Sequence, residues 1–194
     1  MKIKRVQTVS SLGINIVIPN NMKLPPTFSK QKKHIHAVIE TPKGSAAKYN
    51  YDEETQMFKL KKILPKGMVF PFHFGFIPYT KAEDGDPLDV LVLLDELSWP
   101  GCIIECTLIG VMEATETKKN KTVRNDRLIA VANASDKYNK LEDLTKMDEY
   151  LENEIENFFN TYTNLEKKEF KIISKKGPET AIELIKTQMI KVNN

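Results

Sequence analysis

The sequence has few cysteines and no long apolar run. Its 194 residues include two cysteines, Cys102 and Cys106, whose spacing fits neither a C-x-x-C redox motif nor a complete zinc site. We therefore predict that both are small, buried or half-buried side chains in a reducing compartment. No segment approaches the ~20 consecutive apolar residues of a transmembrane helix, and residues 1–21 lack the apolar core of a signal peptide. These absences predict a cytoplasmic protein without a membrane partner.

The chain also lacks a strong excess of charge of either sign. Lysine and arginine total 29 and aspartate and glutamate total 26, so the formal net charge is +3. This excess is too small to predict a nucleic-acid-binding protein. With 41% hydrophobic and 28% charged residues, the composition is that of a folded globular domain rather than of a disordered chain.

Apolar patterning predicts many short strands in the first two thirds of the chain. Residues 1–33 are polar and irregular, and we predict an N-terminal extension followed by a single domain over residues 34–194. Alternating and continuous apolar runs bounded by turn residues predict strands within that domain. The predicted segments are a strand over 34–42, a hairpin over 43–64, an aromatic-rich extended segment over 68–79, a strand buried on both faces over 89–96, one or two strands over 100–114, a polar loop over 115–126 and a strand over 127–133.

The aromatic-rich segment carries a period of two. Phe70, Phe72, Phe74 and Phe76 alternate with other residues, which places all four on one face of an extended segment. Gly75 lies among them and indicates a bulge or a close approach of another backbone. His73 is predicted to be a packed residue rather than a metal ligand.

The period of the apolar residues changes in the C-terminal part. Residues 177–191 predict a helix with Pro178 near its first turn. Strands followed by helices are typical of an α+β domain, and strands this short predict a small closed barrel flanked by two C-terminal helices. The earlier of these helices is predicted from the spacing of one amphipathic face, formed by Leu151, Ile155, Phe158, Phe159 and Tyr162.

Three aspartates cluster at the start of the predicted buried strand, in the stretch EDGDPLDVLVLLDE (residues 83–96). Asp84, Asp86 and Asp89 lie within six positions, so their carboxylates repel one another unless a cation is bound or one pKa is raised. Oxygen ligands without nearby Cys or His favour Mg²⁺ or Mn²⁺ over zinc. A calcium-binding EF-hand fits poorly, because the glycine and acidic spacings differ. A solvated Asp-Gly turn between strands remains the alternative.

The stretch DGDPLD resembles the aspartate signature of the soluble family I inorganic pyrophosphatases. Other segments follow in that family's order: VIETPKGSAAKYNYD, FPFHFGFIP, PGCIIECTLIGV, RLIAV and FFNTYTNLE. The resemblance covers about residues 35–175. It implies a five-stranded, OB-like barrel, a homo-oligomer, and hydrolysis of pyrophosphate to two phosphates with several Mg²⁺ ions per site.

The resemblance also implies roles for individual residues. Asp86 matches the residue that takes a proton from the metal-bridging water. Asp84 and Asp89 match metal ligands, and Glu40 and Glu116 match outer acidic residues around the metals. Contacts with the substrate phosphates are implied for Lys48, Lys62, Arg127 and Tyr162.

The sequence departs from the family pattern at four positions. Asn50 and Asn125 stand where the family has acidic residues, Phe74 where it has a tyrosine and Thr163 where it has a lysine. Asp126 is predicted to replace the missing metal ligand at 125 after a shift of one residue, although such a shift changes the face of a strand. Two functions therefore stay open: a divergent Mg²⁺-dependent pyrophosphatase, and a binding or regulatory protein with the same barrel and weak catalysis.

Overall fold

The computed structural model describes residues 7–9, 14–16, 24–31 and 34–190. Within these residues the elements follow in this order: β1 (Gln7–Val9), β2 (Ile14–Ile16), β3 (His34–Thr41), β4 (Ala47–Asp52), β5 (Met57–Ile63), β6 (His73–Phe76), β7 (Asp89–Leu93), β8 (Ile103–Lys118), β9 (Lys121–Arg124), β10 (Arg127–Ala132), a 3₁₀ turn (Leu144–Lys146), α1 (Glu149–Asn164), β11 (Glu169–Lys176) and α2 (Pro178–Gln188).

Five strands pair in a closed ring. β3 pairs with β6, β6 with β7, β7 with β10, β10 with β8, and β8 returns to β3. The β7–β10 pairing is parallel and the other four are antiparallel. Closure leaves no free edge along the ring, and it confirms the predicted small α+β barrel with two C-terminal helices.

β7 shows why the barrel needs continuous apolar strands. Val90 and Val92 pack in one apolar cluster, together with Ile185 of α2, whereas Leu91 and Leu93 pack in another, together with Phe159 of α1. Successive residues of a strand point to opposite faces, so both faces of β7 are buried. The prediction of a strand buried on both faces is confirmed, but the strand ends at Leu93 rather than at residue 96.

Gly75 of β6 allows the backbone of β3 to approach closely. A Cβ atom at this position would lie 2.0 Å from the carbonyl oxygen of Val38 on β3. Only glycine permits such an approach, which confirms the contact predicted there. Phe70, Phe72 and Phe74 enter one cluster, whereas the ring of Phe76 stacks on Tyr51 at 5.5 Å. Phe74 and Phe76 nevertheless share one face of β6, because that strand pairs with β7 without a register shift.

Three predictions about secondary structure were wrong. Residues 115–126 do not form a plain loop, because β8 continues to Lys118 and pairs with β9 in a hairpin. β11 separates the two helices and pairs with β8, although the sequence analysis placed no strand there. The N-terminal extension is not wholly irregular either, since β1 and β2 pair. Each of these strands has only three residues, which is too few for an alternating apolar pattern to predict a strand.

The end of the extension contacts the barrel. The hydroxyl of Thr27 donates to the carbonyl of Pro78 at 2.8 Å, and the hydroxyl of Tyr79 donates to the carbonyl of Leu24 at 3.0 Å. The domain boundary at residue 34 stays a prediction. In the part of the chain that the structure describes, no helix is both long and apolar enough to cross a membrane.

Candidate active site

A cleft of about 690 Å³ opens beside the start of β7. The β4–β5 hairpin, the turn before β7, the outer part of β8 and one side of α1 form its walls. Among the residues predicted for the site, the structure brings eight to this cleft: Glu40, Lys48, Asp84, Asp86, Asp89, Glu116, Arg127 and Tyr162.

The three clustered aspartates line one wall. The backbone N–H of Asp86 donates to Oδ1 of Asp84 at 3.1 Å, which orders the Asp-Gly-Asp turn. Loss of hydration raises the pKa of Asp84, and the charges of Asp86 and Asp89 raise it further, against the hydrogen bond from Asp86. Asp89 is the first residue of β7, and its Oδ2 lies 2.6 Å from Nη1 of Arg127 in a salt bridge. A bound cation would therefore reduce the repulsion among the three carboxylates on this wall.

Glu40 lies deeper, on β3, and is 7% exposed. Its Oε1 accepts a hydrogen bond from the backbone N–H of Tyr51 at 2.6 Å. Burial raises the pKa of Glu40 to about 7, although the Tyr51 bond and the charge of Lys48 oppose the shift. Lys48 is also buried, which lowers its pKa, and its Nζ lies 4.3 Å from the centre of the Phe74 ring. A buried carboxyl and a buried amine thus share the floor of the cleft.

Arg127 is the most constrained cation of the site. It is 6% exposed, and its guanidinium lies 5.3–5.9 Å from the centres of three aromatic rings. Its Nη1 binds Asp89 and the side-chain oxygen of Asn125, whereas its buried Nε has no hydrogen-bond partner in the described residues. An arginine held in this way presents a fixed charge to the cleft.

Asn125 lines the cleft and Asp126 does not. The carboxylate of Asp126 accepts from the backbone N–H of Ala114 at 3.0 Å and from Nε of Arg124 at 2.7 Å. Both partners lie on the β8–β9 hairpin. Neighbouring residues of an extended chain point in opposite directions, so the one-residue shift that would bring Asp126 to the cleft does not occur.

Lys62, for which the resemblance implies a contact with substrate phosphate, does not line the cleft. Lys48 pairs with Lys62 whereas Tyr49 pairs with Leu60, so Lys61 is the extra residue of a β-bulge. Lys61 lines the cleft. Lys62 instead binds Glu166 and lies 4.0 Å from the centre of the Tyr162 ring.

The sequence analysis missed Lys61, Glu166 and Lys168, all of which line the cleft. Nζ of Lys168 lies 2.9 Å from Oε1 of Glu116 and 2.9 Å from Oε2 of Glu166. Burial alone would raise the pKa of Glu166, but hydrogen bonds from Lys62 and Lys168 lower it to about 2. No sequence pattern marked the pair formed by Lys168 and Glu116, because they come from distant parts of the chain.

His73 packs inside the protein, as predicted. It is fully buried, its Nε2 bonds the carbonyl of Glu96 at 2.9 Å, and its Nδ1 accepts from the backbone N–H of Lys43 at 3.1 Å. Burial lowers its pKa. These bonds use both ring nitrogens.

The donor set of the cleft fits Mg²⁺ better than a softer metal. Across residues 24–31 and 34–190, no three acidic, His or Cys side chains converge closely enough to form a ligand set by themselves. Mg²⁺ keeps several waters and needs only one or two carboxylates from the protein. Separate carboxylates around an open cleft meet that requirement.

Comparisons with known proteins agree on one family. The sequence profile of inorganic pyrophosphatase matches residues 37–193. An inorganic pyrophosphatase of Methanosarcina acetivorans is 37% identical over 149 residues, which are 77% of this chain and 86% of that protein. An inorganic pyrophosphatase of Thermus thermophilus is 36% identical over 157 residues, which are 81% of this chain and 87% of that protein.

Solved structures give the same result. The crystal structure of inorganic pyrophosphatase from Thermus thermophilus superposes with a TM-score of 0.77 and 32% identity over 87% of this chain and 97% of that one. An inorganic pyrophosphatase from Neisseria gonorrhoeae superposes with a TM-score of 0.75 and 30% identity over 84% of this chain and 93% of that one. With both profile and fold in agreement over most of its length, this chain belongs to the inorganic pyrophosphatase family.

Proposed function

We propose that this protein hydrolyses inorganic pyrophosphate to two phosphates in a Mg²⁺-dependent reaction, with Mn²⁺ as a further candidate metal. One observation carries the proposal. A single cleft combines the three carboxylates of Asp84, Asp86 and Asp89 with the fixed cations Lys48 and Arg127. The names of the relatives support the same substrate.

The residues divide into two groups by charge. Glu40, Asp84, Asp89 and Glu116 supply carboxylate oxygens for the metal ions, and we add the side-chain oxygen of Asn125 in place of Asp126. Bound Mg²⁺ would neutralise pyrophosphate and lower the pKa of an attacking water. The substrate phosphates would contact Lys48, Lys61, Arg127 and Tyr162, the first three through charge-assisted bonds.

Asp86 is proposed as the general base. It lines the cleft, and neither a salt bridge nor a side-chain hydrogen bond occupies its carboxylate in the described residues. As water forms its new bond to one phosphorus, the carboxylate takes a proton and the bridging P–O bond breaks. The leaving phosphate departs with the bridging oxygen, and fixed cations stabilise the charge that develops on it.

Phosphate release from pyrophosphate tests the function directly. Turnover should require Mg²⁺, cease in excess EDTA and return when Mg²⁺ is added. Asp86→Asn should lower kcat by roughly 10²–10⁴-fold, the usual contribution of a positioned base. Glu154→Gln, an exposed substitution on α1, serves as the matched control. Turnover that persists in chelator, or an undiminished Asp86→Asn variant, would contradict the mechanism.

The alternative is a barrel that binds metal and phosphate but turns over slowly. The observation that favours it is the pair of neutral residues in the cleft, Asn50 and Asn125, where the resemblance expects acids. Fewer carboxylates hold fewer cations against mutual repulsion. Saturable binding of Mg²⁺ and pyrophosphate without phosphate release would support this alternative over hydrolysis.

We also propose a cytoplasmic homo-oligomer. The free thiols Cys102 and Cys106 support a reducing compartment. The segment around them exposes large apolar side chains, with Leu97 71% and Trp99 72% exposed, and such a concentration is typical of an interface. Sedimentation velocity tests the assembly: a monomer at micromolar concentration would contradict it.

A further inference from the structure

The C-terminal turn of α1 places Lys168 on the wall of the cleft. Lys167 adopts a left-handed conformation with φ +56°. The backbone N–H of Lys168 then donates to the carbonyl of Thr163 at 3.1 Å, and that of Lys167 donates to the carbonyl of Asn164 at 3.0 Å. These two bonds form a Schellman motif. The chain therefore reverses at Lys167, so the next side chain returns to the cleft.

The Lys168 ammonium bridges two carboxylates in the metal-free cleft. Its Nζ lies 2.9 Å from both Glu116 and Glu166, and its side chain is 20% exposed. Burial alone would lower its pKa, but the two carboxylates raise it. Glu166 has a second cation, Lys62, so it stays paired if Lys168 moves. Glu116 has no second ammonium or guanidinium partner within the described residues.

Thr163 does not provide the cation that the resemblance expects at its position. Its side chain is 1% exposed, and its hydroxyl donates to the carbonyl of Phe159 one turn earlier at 2.8 Å. It therefore faces the helix and the core rather than the cleft. Lys168, five residues later, is the cation that the same end of α1 delivers to the site.

We propose that Lys168 is a substrate-binding residue whose ammonium is held by Glu116 until metal binds, and then turns to a phosphate of the substrate. The proposal rests on the proposed function, because it takes Glu116 as a metal ligand and a diphosphate as the substrate. A cation on Glu116 weakens its attraction for Lys168 and repels the ammonium. The bound anion offers the alternative partner in the same cleft.

Opposite effects on metal and anion binding follow from this arrangement. In the free protein Lys168 competes with metal for Glu116, so Lys168→Met should tighten Mg²⁺ binding about threefold to tenfold, the effect of losing a charge partly screened by water. With Mg²⁺ saturating, the same variant should bind methylenediphosphonate, an analogue that is not hydrolysed, about tenfold more weakly or worse. Lys168→Arg, which keeps the charge, should restore most of the anion affinity.

Isothermal titration calorimetry measures both affinities on the full-length chain. Lys167→Met is the matched control, since it removes a neighbouring exposed charge and should change neither affinity by more than about twofold. The gain in Mg²⁺ affinity should vanish when Lys168→Met is combined with Glu116→Gln. Lys168→Gln repeats the test if the Met variant has a lower unfolding midpoint than the parent protein.

The outcomes separate this inference from the proposed function. Unchanged affinities in the Lys168 variants, or weaker binding of metal and anion alike, would overturn the role of Lys168 even if the parent protein hydrolyses pyrophosphate. Opposite changes in a parent protein that binds the diphosphonate but releases no phosphate would support Lys168 and contradict hydrolysis. A parent protein that neither binds the diphosphonate with Mg²⁺ nor releases phosphate from pyrophosphate would overturn both.

Discussion

At the scale of single residues, the orientation of the Asn125 and Asp126 side chains decides which of the two faces the cleft. Asn125 presents a neutral amide to the cleft and accepts a bond from Arg127. The carboxylate of the adjacent Asp126 instead accepts hydrogen bonds from the β8–β9 hairpin, from the backbone N–H of Ala114 and from Nε of Arg124. The protein therefore has an acid one residue after the expected position, but its side chain lies outside the cleft.

The first prediction concerns this pair. Asn125→Asp should tighten Mg²⁺ binding about tenfold, because a carboxylate is a stronger ligand than an amide for a hard cation. Asp126→Ala should leave the Mg²⁺ requirement unchanged but lower the free energy of unfolding by about 1–3 kcal/mol, since the buried N–H of Ala114 loses its acceptor. Calorimetric Mg²⁺ titration and urea unfolding measure the two effects. A raised Mg²⁺ requirement in Asp126→Ala would contradict this and would show that Asp126 binds the metal.

The second prediction at this scale concerns pH and Glu40. Its pKa is raised from 4.5 to about 7 by burial in the folded protein, so between these values the folded state holds a proton that the unfolded state has lost. The free energy of unfolding of the metal-free protein should therefore fall as pH rises from about 4.5 to 7, by up to roughly 3 kcal/mol from this group. Below pH 4.5 the pH dependence from this group disappears, because both states are protonated and its contribution to stability is then at its maximum.

Glu40→Gln isolates this contribution. The amide oxygen can still accept the bond from Tyr51, but the side chain no longer titrates. Urea unfolding in EDTA at pH 5 and pH 7.5 should show a smaller loss of stability in the variant than in the parent protein. An identical loss in both proteins would mean that Glu40 titrates near its ordinary pKa.

At the scale of elements, the β8–β9 hairpin extends the barrel over the cleft. Lys118, at the end of β8, lines the cleft. The turn that follows places Lys119 and Asn120 at φ +49° and +64°, two left-handed residues in succession. Two-residue hairpins of this geometry favour Asn-Gly, whereas lysine is strained there.

Replacing the turn tests this hairpin. Lys119→Asn combined with Asn120→Gly should raise the free energy of unfolding by about 1 kcal/mol, because both left-handed positions are relaxed. Thermal or urea unfolding measures the gain. Lys121→Asn, which changes an exposed residue of β9 outside the turn, is the control. A decrease in stability would show that the two left-handed conformations are not the ones the hairpin adopts.

At the scale of the whole molecule, the ring of five strands holds together parts of the cleft that lie far apart in the chain. β3 carries Glu40, β7 begins with Asp89, β10 begins with Arg127, and β8 carries Glu116. Rigid elements of this kind keep catalytic groups in a fixed geometry. Within this ring, Gly75 lets the backbones of β3 and β6 approach closely at Val38.

Gly75→Ala should therefore destabilise the whole barrel. The new Cβ would overlap the carbonyl of Val38, which is backbone and cannot rotate away, so β3 and β6 must separate at a cost of about 3 kcal/mol or more. Gly177→Ala is the control, because its φ is −71° and its new Cβ would meet only the end of the Asp143 side chain at 3.3 Å. Equal unfolding midpoints for the two variants would contradict the close approach.

The sequence by itself determined the local chemistry and most of the elements. The continuous apolar run after Asp89 predicted a buried strand, the helical spacing around Phe159 predicted α1, and three aspartates in six positions predicted a cation site. Such features depend on neighbours along the chain, so local patterns carry them. The β8–β9 hairpin was missed because its residues are mostly polar on both faces, which leaves no alternating pattern. β11 was missed although Phe170 and Ile172 alternate with Glu169 and Lys171, which is the pattern of a half-buried strand.

Only the tertiary structure decided which of two adjacent residues faces the cleft. Lys61 rather than Lys62 lines it because of a bulge against Lys48, and Asn125 rather than Asp126 because the other side chain finds partners on the hairpin. Register and bulges depend on the strand opposite, which local sequence does not specify. The pairing of Lys168 with Glu116 could not be predicted either, because the two residues are far apart in the chain. Only folding brings Nζ of Lys168 to 2.9 Å from Oε1 of Glu116.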